Sequence, residues 1–112
     1  MPEDNDKTYL KHVLDLSSEI EEYVSRGGRS LFDLDSAIRN AIIRDLEVIG
    51  EACRNISESF RAKHKEVPWK EIIGTRDRLI HDYMGVDLEK VWEMATIDVP
   101  DLEDKVKEIL GS

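Results

Sequence analysis

Apolar residues recur at three- and four-residue steps along almost the whole chain, the spacing of helices that each bury one stripe. In the first stretch these positions are Tyr9, Leu10, Val13, Leu14, Leu16, Ile20, Tyr23 and Val24, which predict an amphipathic helix stopped by Gly27-Gly28. A second, longer helix is predicted over about 34–61, with Asp33 or a neighbour as its cap. Its apolar positions run from Leu34 through Ala37, Ile38, Ala41, Ile42, Leu46, Ile49, Ala52, Cys53 and Ile56 to Phe60. So broad a stripe packs against several helices or against a second chain.

Residues 63–68 read as a basic loop, because Pro68 bars helix at Val67 and suits the start of the next element. The spacing then predicts a third helix over about 69–84, carrying Trp69, Ile72, Ile73, Leu79, Ile80 and Tyr83, with Gly85 ending it in the left-handed conformation. Asp87 is a good cap for a fourth helix containing Leu88, Val91, Trp92 and Ala95. Pro100 should kink or break that helix, and a last segment carries Leu102, Val106, Ile109 and Leu110. No strand pattern is visible. The expected architecture is one all-α domain over residues 1–112, an antiparallel bundle of four or five helices.

Composition narrows the setting. A single cysteine excludes an internal disulfide and a multi-cysteine metal site, and Cys53, inside an apolar stripe, reads as a buried small group in a reducing compartment. No apolar run approaches the ~18 residues needed to cross a bilayer. The first residues are acidic and polar, unlike a secretory signal, so a cytoplasmic protein without membrane contact is expected. Trp69 and Trp92 sit on apolar stripes as core anchors, while His12 and His64 stand alone as solvated side chains. The Glu19, Glu21, Glu22 cluster has no histidine at ligand spacing and reads as a solvated face; no metal and no cofactor are expected.

The net charge of −9 is not evenly spread. Residues 61–81 hold six Lys or Arg (Arg61, Lys63, Lys65, Lys70, Arg76, Arg78) against three acids, a local +3 that leaves −12 for the remainder. Phosphate binding requires a local positive field rather than a positive total.

Within this region, residues 74–85 gather Arg76, Asp77, Arg78, His81 and Tyr83. Each type has a use in phosphodiester cleavage. Histidine moves a proton near neutral pH, arginine holds a phosphate and the charge building on it, and tyrosine offers a hydroxyl and a ring. On a regular helix Arg76 and Tyr83 would lie within about 20° of each other and His81 about 140° from Arg76. Asp77, four residues before His81, would be placed to pair with it. A continuous helix therefore does not aim Arg76 and His81 at one spot. Either the helix is distorted here, or a second copy at a two-fold axis supplies the missing partner.

The same residues carry a family likeness. Arg76-Asp77, a short spacer and His81 match the ribonuclease motif of the HEPN superfamily, and Arg76-x4-His81-x-Tyr83 matches the narrower pattern of its HepT-like toxins. Arg44-Asp45-Leu46-Glu47-Val48-Ile49-Gly50-Glu51-Ala52 looks like that family's second-helix signature, and Pro68-Trp69, Gly85-Val86-Asp87 and Trp92 also fit. The chain thus resembles the HepT-like ribonuclease toxins over nearly its whole length, most strongly over residues 44–92. The resemblance implies a HEPN-type bundle acting as a homodimer, with its active site at the dimer interface. It implies metal-independent RNA cleavage in which the ribose 2′-hydroxyl attacks the adjacent phosphate. In that scheme Arg76 and His81 are catalytic, His81 moving the proton and Arg76 stabilising the crowded phosphate. Asp77 and Tyr83 support them, and the local basic field makes Arg78, Lys63, Lys65 and Lys70 the expected RNA contacts. The resemblance also implies a partner, an MntA-like minimal nucleotidyltransferase antitoxin that silences the toxin by transferring AMP to Tyr83, where added bulk and negative charge displace RNA. Asp77 stands where Asn is also common in the superfamily; an acid there repels RNA yet favours a protonated His81.

Two readings compete. One is an endoribonuclease toxin of a type VII-like toxin–antitoxin pair. The other is a non-catalytic helical dimer serving as accessory or nucleotide-binding subunit of such a transferase. The joint presence of Arg76, His81 and Tyr83 favours the first.

Overall fold

The computed structural model describes the backbone of residues 2–75, 78, 80–82 and 85–111 and the side chains of residues 5–75, 78 and 85–111. Helix α1 spans Pro2–Leu34, α2 Ser36–Arg54, α3 Glu58–Lys63 and α4 Trp69–Ile73; a two-stranded ribbon of β1 (Ile80–Asp82) and β2 (Gly85–Val86) follows. The chain closes with α5 (Leu88–Glu93), a π-helical turn (Met94–Asp98) and α6 (Val99–Gly111). The fold is all-α, as the periodicity predicts, and the short ribbon is its one departure among the described residues.

The first two helices form an antiparallel hairpin. Its far end is tied by the buried Asp6, whose carboxylate accepts from the backbone N–H of Ser57 at 2.8 Å and from its hydroxyl at 2.7 Å. The expected stop at Gly27-Gly28 is a break rather than an end: Gly28 leaves helical geometry (φ 60°, ψ −151°), and helix then resumes to Leu34. Gly28 is suited to that conformation because it has no Cβ to clash at positive φ. The resumed turns are held by Arg29, whose guanidinium lies over the rings of Phe32 and Trp92 and pairs with Asp33 and Glu89. The cap of α2 is Asp35, which accepts from the N–H groups of Ala37 and Ile38.

The second helix is shorter than the pattern predicts. It stops at Arg54, and Ser57 then caps the separate helix α3 by accepting from Phe60 N–H. Phe60 therefore belongs to α3, not to the α2 stripe. The apolar period continued across the break because α3 packs its own apolar side in the same direction, against the common core. That core is drawn from α1 (Leu10, Val13, Ile20, Phe32), α2 (Ile42, Leu46, Ile49, Cys53) and α6 (Leu102, Val106), with Trp69 also buried and Trp92 packed against it. Burial pushes the Cys53 thiol up to about 12, so it is an inert apolar group. The predicted kink or break at Pro100 takes the form of a π turn that runs directly into α6, of which Pro100 is the second residue. Proline lacks an N–H and its ring clashes with the carbonyl four residues back, and a wider turn gives that ring room.

One buried group on α2 is poorly served. Asp45 is 7% exposed, and its Oδ2 has no hydrogen-bond partner among the described residues. Burial first, and the neighbouring Glu19 carboxylate second, push its pKa up to about 6, with Arg44 opposing. A carboxyl whose folded pKa is raised carries no penalty where both states are protonated, and destabilises the fold as pH rises from the unfolded value through the folded one. Stability should therefore fall between about pH 4 and pH 7. Asp45→Asn should raise the melting temperature at pH 8, corresponding to roughly 1–3 kcal/mol, and the gain should shrink by pH 5. Equal melting shifts at both pH values would refute the assignment.

Candidate active site

The segment predicted to carry chemistry begins where α4 ends, and α4 is positioned by close approach to α2. Gly50 makes this possible: a Cβ there would lie 2.8 Å from the backbone oxygen of Ile72. The loop before α4 is fixed by the Trp69 indole, which donates to the His64 carbonyl at 2.9 Å. His64 is half-buried and packed against Phe60, with ring centroids 4.5 Å apart and the rings tilted by 37°, so it is a structural residue rather than the solvated one expected. His12 is exposed as expected.

The predicted helix over 69–84 is not continuous. Helix α4 ends at Ile73 and Gly74 forms a turn, but Thr75 and Arg78 are helical again: Thr75 Oγ1 donates back to the Ile72 carbonyl at 2.6 Å, and Arg78 N–H donates to Gly74 O at 3.0 Å. Strand β1 then pairs antiparallel with β2, with Ile80 opposite Val86 and Asp82 opposite Gly85 and an irregular register between them. Gly85 does adopt positive φ (137°), but inside this ribbon and not as a helix cap. His81 is the middle residue of β1. A regular helix therefore does not run through His81, and the helical angle expected between Arg76 and His81 does not apply. Arg76, Asp77 and Tyr83 lie outside the described residues, and for His81 the backbone alone is described.

The expected RNA-binding cations separate onto two sides of α4. Arg78 is half-buried, with Nη1 donating to the Glu71 carbonyl at 3.3 Å. It borders an apolar cavity of about 80 Å³ between α2, α4, the π turn and α6, whose lining includes Leu46, Ile72, Met94, Leu102 and Asp98. Burial raises the pKa of Asp98, and the charge of Arg78 opposes that rise. On the other side, Arg61, Lys65 and Lys70 line an open groove of about 520 Å³ with Val67, Pro68 and Ile73. Lys63, exposed near the end of α3, is not part of its lining. Arg61 belongs to the basic window of residues 61–81, and that charge cluster is its only signal in the sequence. Gly50 and Asp45 lie inside the second-helix signature, but neither a close backbone approach nor a buried carboxylate oxygen without a partner can be read from residue types.

No described helix is long and apolar enough to cross a membrane. A family model described as Ribonuclease HepT-like matches residues 13–109. A protein of Caldanaerobacter subterraneus named as an RNase is 44% identical over 104 residues, covering 93% of each chain. A Methanocaldococcus jannaschii protein also named as an RNase is 36% identical over 110 residues, covering 98% of this chain and 91% of its own. A Thermococcus cleftensis protein named as ribonuclease HepT is 38% identical over 103 residues, covering 92% and 94%. No solved structure matches.

Proposed function

This chain belongs to the HepT-like ribonuclease family, and on that premise we propose that it is a metal-independent endoribonuclease toxin, neutralised by AMP transfer to Tyr83 from an MntA-like nucleotidyltransferase. The observation that carries the reading is Arg76-x4-His81-x-Tyr83 standing inside the stretch matched to the family. In the proposed reaction the ribose 2′-oxygen attacks the adjacent phosphorus while its proton leaves, and the bond from phosphorus to the 5′-oxygen breaks as that oxygen gains a proton. The products are a 2′,3′-cyclic phosphate and a 5′-hydroxyl end. His81 serves the proton transfers. Arg76 neutralises the charge gathering on the phosphate, Asp77 orients one of the two, and Tyr83 contacts RNA.

The active form is proposed to be a homodimer. The breadth of the α2 stripe supports this. Ile42, Leu46 and Ile49 are buried within the chain, whereas Ile38, Ile43 and Val48 are only partly covered, and Leu34 beside the start of α2 is 86% exposed. Such leftover apolar surface is what a self-complementary interface uses.

A single experiment tests the reading. Protein shown by intact mass to be unmodified should cleave RNA in EDTA and leave cyclic-phosphate ends. After incubation with the transferase and ATP it should gain one AMP and lose cleavage, and Tyr83→Phe should gain no AMP. Failure of unmodified protein to cleave any of several RNAs would reject the ribonuclease assignment. AMP transfer to Tyr83→Phe would reject that residue as acceptor.

A further inference from the structure

We infer that the open groove beside α4 is the track for a single strand of RNA, in which Arg61, Lys65 and Lys70 hold backbone phosphates on one side of the bond that is cut. The inference rests on the ribonuclease reading above and adds the groove, Arg61 and the single-stranded form of the substrate.

The first ground is position. The groove, about 520 Å³ and open to solvent, runs along the loop before α4 and reaches Ile73, the last residue of that helix. Only Gly74 and Thr75 separate Ile73 from Arg76 in the chain. A strand lying in the groove passes the helix end from which the chain continues into the motif segment.

The second ground is the state of the cations. The chain has 25 acids for 16 Lys and Arg, so a surface cation has ample opportunity to pair. Among the described residues the Lys and Arg ion pairs use Arg26, Arg29, Arg54, Lys105 and Lys107, and none uses Arg61, Lys65 or Lys70. Recruiting these three to phosphates breaks no existing pair. Arg61 is also pre-set, because its Nε donates to the Ile56 carbonyl at 3.2 Å. That bond uses Nε alone, and among the described residues neither terminal nitrogen has a partner, so both can meet a phosphate. Lys65 and Lys70 are exposed and supply point charges along the same groove. Glu71 is the one acid on the lining, and Val67, Pro68 and Ile73 give an apolar floor suited to sugars rather than to a further row of charges.

The third ground separates one strand from two. The local excess of +3 over residues 61–81 sits in a chain whose remainder carries −12. A duplex presents a second line of phosphates, for which the groove lining offers no further cation. A single strand confines its phosphates to the groove.

The test uses an unstructured labelled RNA oligonucleotide and the full chain carrying His81→Ala, so that the RNA survives. Adding Lys65→Glu and Lys70→Glu should weaken binding by roughly tenfold or more and flatten the dependence of log Kd on log salt by about 1.4, two contacts at ~0.7 each. Lys7→Glu with Lys11→Glu, two exposed positions on α1, makes the same change in net charge and should alter Kd by less than about threefold. Lys63→Glu alone should cost less than Lys65→Glu alone. A duplex of the same sequence should compete poorly. Unchanged affinity and salt slope in the Lys65/Lys70 variant, while the parent binds, would overturn the groove and leave the ribonuclease reading standing. Equal losses in the Lys7/Lys11 variant would show a general charge effect and also overturn it, and equal competition by duplex would overturn the single-strand assignment. A parent that does not bind, together with a wild type that does not cleave, would overturn both readings.

Discussion

His81→Ala is expected to lower RNA cleavage by roughly 10²–10⁴-fold, the contribution of a positioned proton-transfer group, while the melting temperature stays close to that of the wild type. Arg76→Ala should cost roughly 10²–10³-fold by removing the group that meets charge developing on the phosphate. The two losses should not add in the double variant, because both act on one transition state. The pH profile separates the roles. Wild-type cleavage should rise and fall around neutrality as groups that give and take protons titrate. That dependence should flatten in His81→Ala and persist, at lower amplitude, in Arg76→Ala. A wild-type pH profile retained in His81→Ala would dismiss His81 from proton transfer even if the rate fell. Mixing the two variants then addresses the dimer. If Arg76 of one protomer serves His81 of the other, a randomly mixed population regains about a quarter of wild-type activity, since half the dimers are mixed and each has one complete site. No recovery in a population that demonstrably exchanges subunits would place both groups in the same protomer.

The helical reading succeeded where periodicity is tied to burial and went astray where backbone geometry decides. Asp35 and Asp87 cap as their residue type predicts, since a short carboxylate before an apolar run can accept from the first free N–H groups. The break at Gly28 and the end of α2 at Arg54 were harder to place. In both, the apolar period runs on through the interruption, because the segments on either side pack on one core. The motif region shows the same effect more sharply. Leu79, Ile80 and Tyr83 sit at helical spacing after Ile72 and Ile73, but α4 stops at Ile73, and among the described residues helix returns only at Thr75 and Arg78 before the chain enters a ribbon at Ile80. Three apolar positions over so short a stretch fit a strand as well as a helix turn. The candidate residues were legible as types, from their chemistry and family likeness. The separation of Arg78 from Lys65 and Lys70 was not, because it depends on which side of a five-residue helix each element passes.

Gly50→Ala is expected to destabilise the protein even though the same exchange in an open helix stabilises it by about 1 kcal/mol. The reason is a single contact. The added Cβ would sit 2.8 Å from the Ile72 backbone oxygen, with Ile73 O at 3.7 Å and Thr75 Cβ at 3.7 Å close behind. A backbone carbonyl cannot rotate away as a side chain can, and Ile72 O is further held by the Thr75 hydroxyl at 2.6 Å. Relief must come from moving α4 bodily off α2, at a cost of roughly 1–3 kcal/mol for forced overpacking. The net result should be a fall in melting temperature of several degrees, at about 4–8 °C per kcal/mol for a small domain. Gly111→Ala, where no atom lies within 4 Å of the new Cβ, should show no such fall. Cleavage should drop further than the lost folded fraction explains, because α4 leads directly into Gly74, Thr75 and Arg76, and a displaced α4 misplaces a group that must meet a phosphate within a fraction of an ångström. Substituting a larger side chain, as in Gly50→Leu, should enlarge both effects. A melting temperature raised by Gly50→Ala would mean that α4 does not rest on α2, and the placement of the motif by that contact would have to be abandoned.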